Sequence, residues 1–257
     1  MKLHVEVAGN GTALALLHGW GLHGGIWAPL REALQRHFTL HIVDLPGHGY
    51  SSGIGVTSLA SLAQTVAAAL PEHCHLCGWS LGGQVAMRIA IDSPQRVEKL
   101  ALVAATPRFT NGGGWMHGID AQILEDFSRR MEGAYERTLV NFLGLQTLHD
   151  AGAKSLLRTL RATLFERGEP HRDALRAGLA LLHNTDLRDS IAAIKAETLV
   201  VHGDRDMLVP ARAGEWLAAH IAQAKYYSFE RSGHIPFLSH PERFTSVLCE
   251  FLEAEHE

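Results

Sequence analysis

The sequence predicts an α/β fold in which a mostly parallel sheet carries helices on both faces and an inserted helical cap. Three observations predict it. Short apolar, β-branched runs alternate with longer segments of helical period. Several of those runs are apolar at nearly every position, as expected for parallel strands covered on both faces. The alternation then lapses between about Thr106 and Asp186 before it resumes. Strands are expected at Leu3–Val7, Ala13–Leu17, Phe38–Val43, His75–Trp79, Lys99–Val103, Thr198–His202 and Lys225–Phe229. Helices are expected at Trp27–Arg36, Leu59–Leu70, Leu81–Asp92, Ala211–His220 and Pro241–Glu253. Within the lapse, Ile119–Met131 and Leu156–Thr163 are helical in pattern, and the run Asn111-Gly112-Gly113-Gly114 marks a flexible entry. The simplest organisation is a core of residues 1–106 and 187–257 with a cap over 107–186.

Composition narrows the function classes. The chain has 257 residues, enough for one large domain or a domain with an insertion, and 46% of them are hydrophobic, which excludes a disordered chain. A net charge of −4 leaves no global basic footprint for nucleic acid. No apolar run reaches the roughly 18–20 residues of a membrane span. The start, MKLHVEVAGNG, lacks the apolar core of a signal peptide, because His4 and Glu6 interrupt it. Three cysteines suit a reducing compartment better than a disulfide framework. A cytoplasmic protein is expected.

The sharpest local signal is Gly78-Trp79-Ser80-Leu81-Gly82-Gly83, set between an expected strand and an expected helix. So tight a reversal needs small residues around the nucleophile, and the helix N-terminus favours developing negative charge. An ordinary glycine-rich turn is the bland alternative, and the strand–helix setting argues against it. A serine hydroxyl is a weak nucleophile until a base takes its proton. His234, in Ser232-Gly233-His234-Ile235-Pro236 after the last expected strand, is the candidate base; most of the 17 histidines have no comparable setting. The acid should follow a strand between the two. Asp206 is preferred and Asp204 is the alternative, both in Gly203-Asp204-Arg205-Asp206. It would accept the imidazole N–H and fix the tautomer. Oxyanion donors are expected from the amides of Leu81 and of Trp20, the latter in the loop His18-Gly19-Trp20-Gly21. His18 reads as a structural residue of that loop.

Together, His18–Gly21, Asp44-Leu45-Pro46-Gly47-His48-Gly49-Tyr50-Ser51, Gly78–Gly83, Gly203–Pro210 and Gly233-His234 resemble the α/β-hydrolase superfamily with a helical cap, across essentially the whole chain. The wording of His18–Leu22, Phe38–Gly47, Gly78–Gly83 and Phe142-Leu143-Gly144-Leu145-Gln146-Thr147 is similar to the family of esterases that remove the methyl ester from pimeloyl-[acyl-carrier protein] in biotin synthesis. The resemblance implies that Trp20, Ser80, Leu81, Phe142, Leu143, Gly144, Leu145, Gln146 and His234 line the substrate site. It implies no metal or organic cofactor, a carrier-protein partner, and small esters as secondary substrates. A monomer is expected.

The cap offers a separate sign of that partner. Between Arg137 and Arg161 lie Arg137, Lys154, Arg158 and Arg161 against a single acid, Asp150. Lys154, Arg158 and Arg161 are spaced i, i+4, i+7 and share one helix face, which an acidic carrier protein could dock. A plain solvated face is the competing reading, and Asn141 stands where the resemblance implies another arginine. The rival functions are a general small-ester or lactone hydrolase with the same triad, and a ligand-binding receptor on a hydrolase fold. Dehalogenases and epoxide hydrolases of this fold place Asp where Ser80 stands. Other patterns are bland. Cys74 and Cys77 are three apart on a strand and face opposite ways. His18, His23 and His48 lack zinc spacing. The acidic end Glu250–Glu257 reads as a solvated, fraying terminus.

Overall fold

A computed structural model of the chain describes residues 3–51, 58–148, 150 and 152–254. Seven strands form one sheet: β1 (Val5–Ala8), β2 (Thr12–Leu17), β3 (Phe38–Val43), β4 (Cys74–Trp79), β5 (Val97–Val103), β6 (Glu197–Gly203) and β7 (Ala224–Phe229). Their spatial order is β1-β3-β2-β4-β5-β6-β7, with β1 antiparallel to β3 and every other pair parallel. The chain steps outward from β2 to β3, then returns across β2 to start β4. The loops leaving β2 and β4 therefore diverge at a topological switch point, where open α/β sheets form their crevice.

Ten α-helices complete the described residues: α1 (Ala28–Leu34), α2 (Leu59–Ala67), α3 (Leu81–Asp92), α4 (Ala121–Gly133), α5 (Tyr135–Gln146), α6 (Ala153–Leu164), α7 (Arg172–Asn184), α8 (Ala211–His220), α9 (Pro236–Ser239) and α10 (Pro241–Glu253). Strand side chains alternate between two apolar clusters. Leu14, Leu16 and Cys77 join Leu30 of α1, Phe244 of α10 and Leu160 of α6. Ala15, Leu17 and Leu76 join Val66 of α2, Val85 of α3 and Leu217 of α8 on the other face. Cys74 lies in this second cluster, so Cys74 and Cys77 do face opposite ways, as the period of two requires. Both thiols are free, and burial pushes them up to about 11 and about 12.

The chain leaves the sheet after β5, builds α4–α7, and returns at β6. Its two ends are tied together: the Leu187 amide donates to the Pro107 carbonyl (3.0 Å), and the Arg108 guanidinium binds the Asp186 carboxylate (2.6 Å). Gly112, Gly113 and Gly114 all have positive φ, and Gly112 and Trp115 exchange backbone hydrogen bonds of 3.0 Å, so the glycine run is a defined turn.

Three expectations need correction. The expected helix Trp27–Arg36 begins as a 3-10 turn, Gly24–Trp27, and ends at Leu34. The first strand starts at Val5, because its pairing begins with Val5 opposite Val43. The acidic terminus is anchored rather than frayed through Ala254: Lys99, almost fully buried, donates to the carbonyls of Phe251 (3.0 Å) and Ala254 (2.5 Å). Residues 255–257 lie outside the described residues.

Candidate active site

Ser80 sits between β4 and α3 with φ 55° and ψ −116°, a conformation that L-residues rarely adopt. The crowding that enforces it is visible in the glycines around it. A Cβ on Gly78 would collide with the Gly82 carbonyl, one on Gly82 with the Leu17 carbonyl, and one on Gly83 with the Ala105 side chain. Strain of this kind lifts a nucleophile above the sheet edge at the head of the following helix. Leu81 is the first residue of α3 and is buried.

The loop after β7 carries His234, 1% exposed. Its Nδ1–H donates to Asp206 Oδ2 at 2.7 Å, which leaves Nε2 as the basic nitrogen. Asp206 is itself fixed, since its Oδ1 accepts the amides of Leu208 (2.8 Å) and Val209 (2.9 Å). Asp204 is exposed and accepts the Ser232 amide at 3.2 Å, so it ties down the start of the histidine loop. The His234 main chain is held on both sides. Its carbonyl accepts Trp79 Nε1–H (2.8 Å), and its N–H donates to the Gln146 carbonyl (3.1 Å).

Trp20 lies in the loop after β2, buried, with its indole N–H donating to the Leu175 carbonyl of α7 at 2.9 Å. Its ring stacks edge-on with Phe142 and Phe127, at 5.1 and 5.5 Å between centroids. The residues from Phe142 to Gln146 occupy the last turns of α5 and diverge as helical geometry demands. Leu143 and Gln146 are buried, Phe142 and Gly144 half-buried, and Leu145 is 44% exposed. Arg137 on α5 and Lys154, Arg158 and Arg161 on α6 are all exposed, and none makes an ion pair among the described residues. No cluster of three or more potential metal ligands occurs among the described residues.

Residues 14–247 match the model of the alpha/beta hydrolase family. The chain belongs to the alpha/beta hydrolase family. This hydrolase is 44% identical over 98% of its length to a pimeloyl-[acyl-carrier protein] methyl ester esterase from Xanthomonas campestris, covering 99% of that relative. It is 41% identical over 95% of its length to one of the same name from Nitrosomonas europaea, covering 97% of it. A third, from Nitrosospira multiformis, is 36% identical, with 98% of each chain covered. Among solved structures, it superposes on a hydrolase from Pseudomonas aeruginosa with TM-score 0.85 and 28% identity, covering 98% of this chain and 94% of that one. An esterase from Exiguobacterium antarcticum has the same fold, with TM-score 0.89 at 23% identity, covering 98% and 96%.

Beneath the Trp20 loop of this hydrolase lies a buried polar cluster. His18 Nε2 accepts the Leu45 amide (2.9 Å), so its Nδ1 carries the proton that meets the Gly19 carbonyl (2.7 Å). Burial, with neighbouring His48, lowers His18 to about 3, and burial lowers His48 to about 4. Both are neutral at physiological pH, and the hydrogen bonds of His18 are committed to its own loop and the adjoining one. Burial also opposes the charge on Asp44, but amide hydrogen bonds from Tyr50 and Gly24 and the nearby Arg167 outweigh it, so its carboxyl stays below the usual range. Arg167, from the stretch between α6 and α7, reaches both Asp44 (3.2 Å) and Glu6 (3.0 Å).

Sequence reasoning missed two contributors. Trp79 is a motif position of no fixed identity, and its indole bond to the histidine loop spans 155 residues. Asp150 read only as the acid offsetting a basic face, yet it is buried and its Oδ1 accepts the Gly233 amide at 2.8 Å. A lone acid in a region otherwise rich in bases was the only signal available.

Proposed function

We propose that this chain is a serine carboxylesterase that hydrolyses the methyl ester of pimeloyl-[acyl-carrier protein], releasing methanol and pimeloyl-[acyl-carrier protein] in biotin synthesis. The observation that carries the substrate is the full-length identity of 36–44% to relatives bearing that name. In this reading Ser80 attacks the ester carbonyl as His234 Nε2 takes its proton. Asp206 holds the imidazole tautomer and stabilises the imidazolium. The amides of Trp20 and Leu81 receive the oxyanion. His234 then returns the proton to the methoxide leaving group, and water, deprotonated in turn by His234, hydrolyses the acyl-enzyme. No metal or organic cofactor takes part.

Residues 107–186 act as a cap, with Phe142–Gln146 contributing to the acyl site. Arg137, Lys154, Arg158 and Arg161 receive the acidic carrier protein, and small esters are secondary substrates. Two findings support the docking face: its four cations make no ion pair among the described residues, and Asp150, the acid that lies between Arg137 and Arg161 in sequence, is turned inward. The enzyme works as a cytoplasmic monomer. No helix among the described residues is long and apolar enough to cross a membrane.

The test is hydrolysis of methyl pimeloyl-carrier protein beside free dimethyl pimelate. Ser80→Ala should abolish both reactions. Arg158→Glu and added salt should raise KM for the carrier-bound ester by about tenfold while sparing the free diester. Cleavage of the free ester alone would leave a general esterase. Failure of a serine-reactive fluorophosphonate to label Ser80 would instead favour a ligand receptor.

A further inference from the structure

The contacts around His234 place cap and general base in one hydrogen-bonded unit. Two consecutive amides of the histidine loop donate to the cap: Gly233 N–H to Asp150 Oδ1 at 2.8 Å, and His234 N–H to the Gln146 carbonyl at 3.1 Å. Asp150 sits in the turn between α5 and α6, where its own amide donates to the Thr147 carbonyl (3.1 Å) and its carbonyl accepts the Ala153 amide (3.3 Å). The fit is close. A Cβ on Gly233 would lie 2.8 Å from Asp150 Oδ2, 2.9 Å from the Gln146 carbonyl oxygen and 3.2 Å from the Leu148 carbonyl oxygen. Only glycine lets the cap turn approach this near.

The carboxylate is 7% exposed, and its Oδ2 has no hydrogen bond of standard geometry among the described residues. The Ser232 and Ser239 hydroxyls nevertheless lie close enough to favour its charge. An acid kept buried at that cost, bonded to the residue beside the general base, has a structural task that solvent exposure would not give it.

We propose that Asp150 is a positioning residue for His234, so that the base is in register with Asp206 and Ser80 only while the cap is seated. The inference rests on the reading of His234 as general base. His234 is restrained by three elements: the loop after β6 through its ring, the end of β4 through its carbonyl, and the cap through its amide and that of Gly233. Trp79 ends β4 and Asp206 lies in the loop after β6, so neither is part of the α4–α7 segment that the proposal has shifting. The amide pair is the part of the restraint that cap movement releases. Cap opening therefore loosens the base as well as admitting substrate.

The experiment is steady-state hydrolysis of p-nitrophenyl acetate at pH 8 by the wild type, Asp150→Ala, Asp150→Ser and Asp150→Asn, with melting temperatures taken alongside and Ser80→Ala as control. The ester is too small to need the carrier-docking face. Asp150→Ala and Asp150→Ser, which cannot reach the Gly233 amide, should lose about ten- to hundredfold in kcat with KM within about twofold. Asp150→Asn keeps an acceptor oxygen and should retain most of kcat. Wild-type kcat in the Ala or Ser variant would overturn the proposal. So would an Asn variant as slow as these, or a parallel loss in kcat and KM. If one of the two short variants does not fold, the other carries the comparison. An active Ser80→Ala would sink the underlying reading instead, whatever Asp150 does.

Discussion

The loops after β2 and after β7 both reach the α4–α7 segment, but they do so by opposite means. The first reaches outward with side chains: Trp20 donates to the Leu175 carbonyl, and a ring nitrogen of His23 meets the Thr163 carbonyl at 2.7 Å. The second is held by its main chain, with the Gly233 and His234 amides lodged on Asp150 Oδ1 and the Gln146 carbonyl. Their electrostatics differ as well. Under the first loop burial lowers His18 to about 3 and His48 to about 4, and the buried Asp44 carboxylate is paired with Arg167. At the second, burial raises Asp150 to about 6. In the proposed mechanism the first loop supplies an oxyanion donor, a role that a fixed amide suits. The general base of that mechanism exchanges protons, and its loop is the one bonded to the α5–α6 turn through a titratable group, Asp150.

The largest expected effect tests the base side. Asp206→Asn should lower kcat by about 10³–10⁴, because an amide facing Nδ1 favours the wrong imidazole tautomer. Asp204→Asn should cost only a few-fold, since its partner is the Ser232 amide. A larger loss from Asp204→Asn, measured on any small ester, would reverse the assignment of the acid. The next effect belongs to the other loop. Arg167→Met leaves the Asp44 carboxylate buried without its cation, although the Tyr50 and Gly24 amides remain. Stability should fall by about 2–3 kcal/mol, seen as a melting temperature lower by roughly 5–10 °C. An unchanged melting curve would mean that the amides alone hold Asp44.

The sheet and the glycine-lined serine turn were legible because both follow from local rules. The period of the strands fixes which face each residue takes, and a strand–turn–helix this tight admits few residues around Ser80. The expected bounds of β3, α3, α8 and α10 match the structure for the same reason. What escaped is long-range. Asp150 meets Gly233 across 83 positions and Lys99 meets Phe251 across 152, and neither spacing leaves a pattern in the chain. The consecutive run Phe142–Gln146 shows a different limit. Similarity to a family names a segment, but helical geometry sends Leu145 outward and Gln146 inward.

The smallest effect bears most directly on the contrast between the loops. Folding raises the Asp150 carboxyl from an ordinary 3.8 to about 6, with burial the main cause, so the native state favours its protonated form. The stability linked to this group is therefore fully present below about pH 4, declines as pH rises through 4 to 6, and is flat above. The displacement corresponds to ~3 kcal/mol at most, and about 1 kcal/mol once solvent screening near the loop is allowed for. Asp150→Asn is neutral at every pH and escapes that cost. Its melting temperature should exceed the wild type's by about 2–4 °C at pH 8, with the gap closing at pH 4. Arg167→Met should leave the part of the pH dependence linked to Asp150 as in the wild type, because Arg167 is bonded to Asp44 and Glu6 and not to Asp150. If the Asn-minus-wild-type difference is the same at pH 4 and pH 8, Asp150 does not change charge in this window. The two loops would then differ in how they reach the α4–α7 segment, and not through the charge of Asp150.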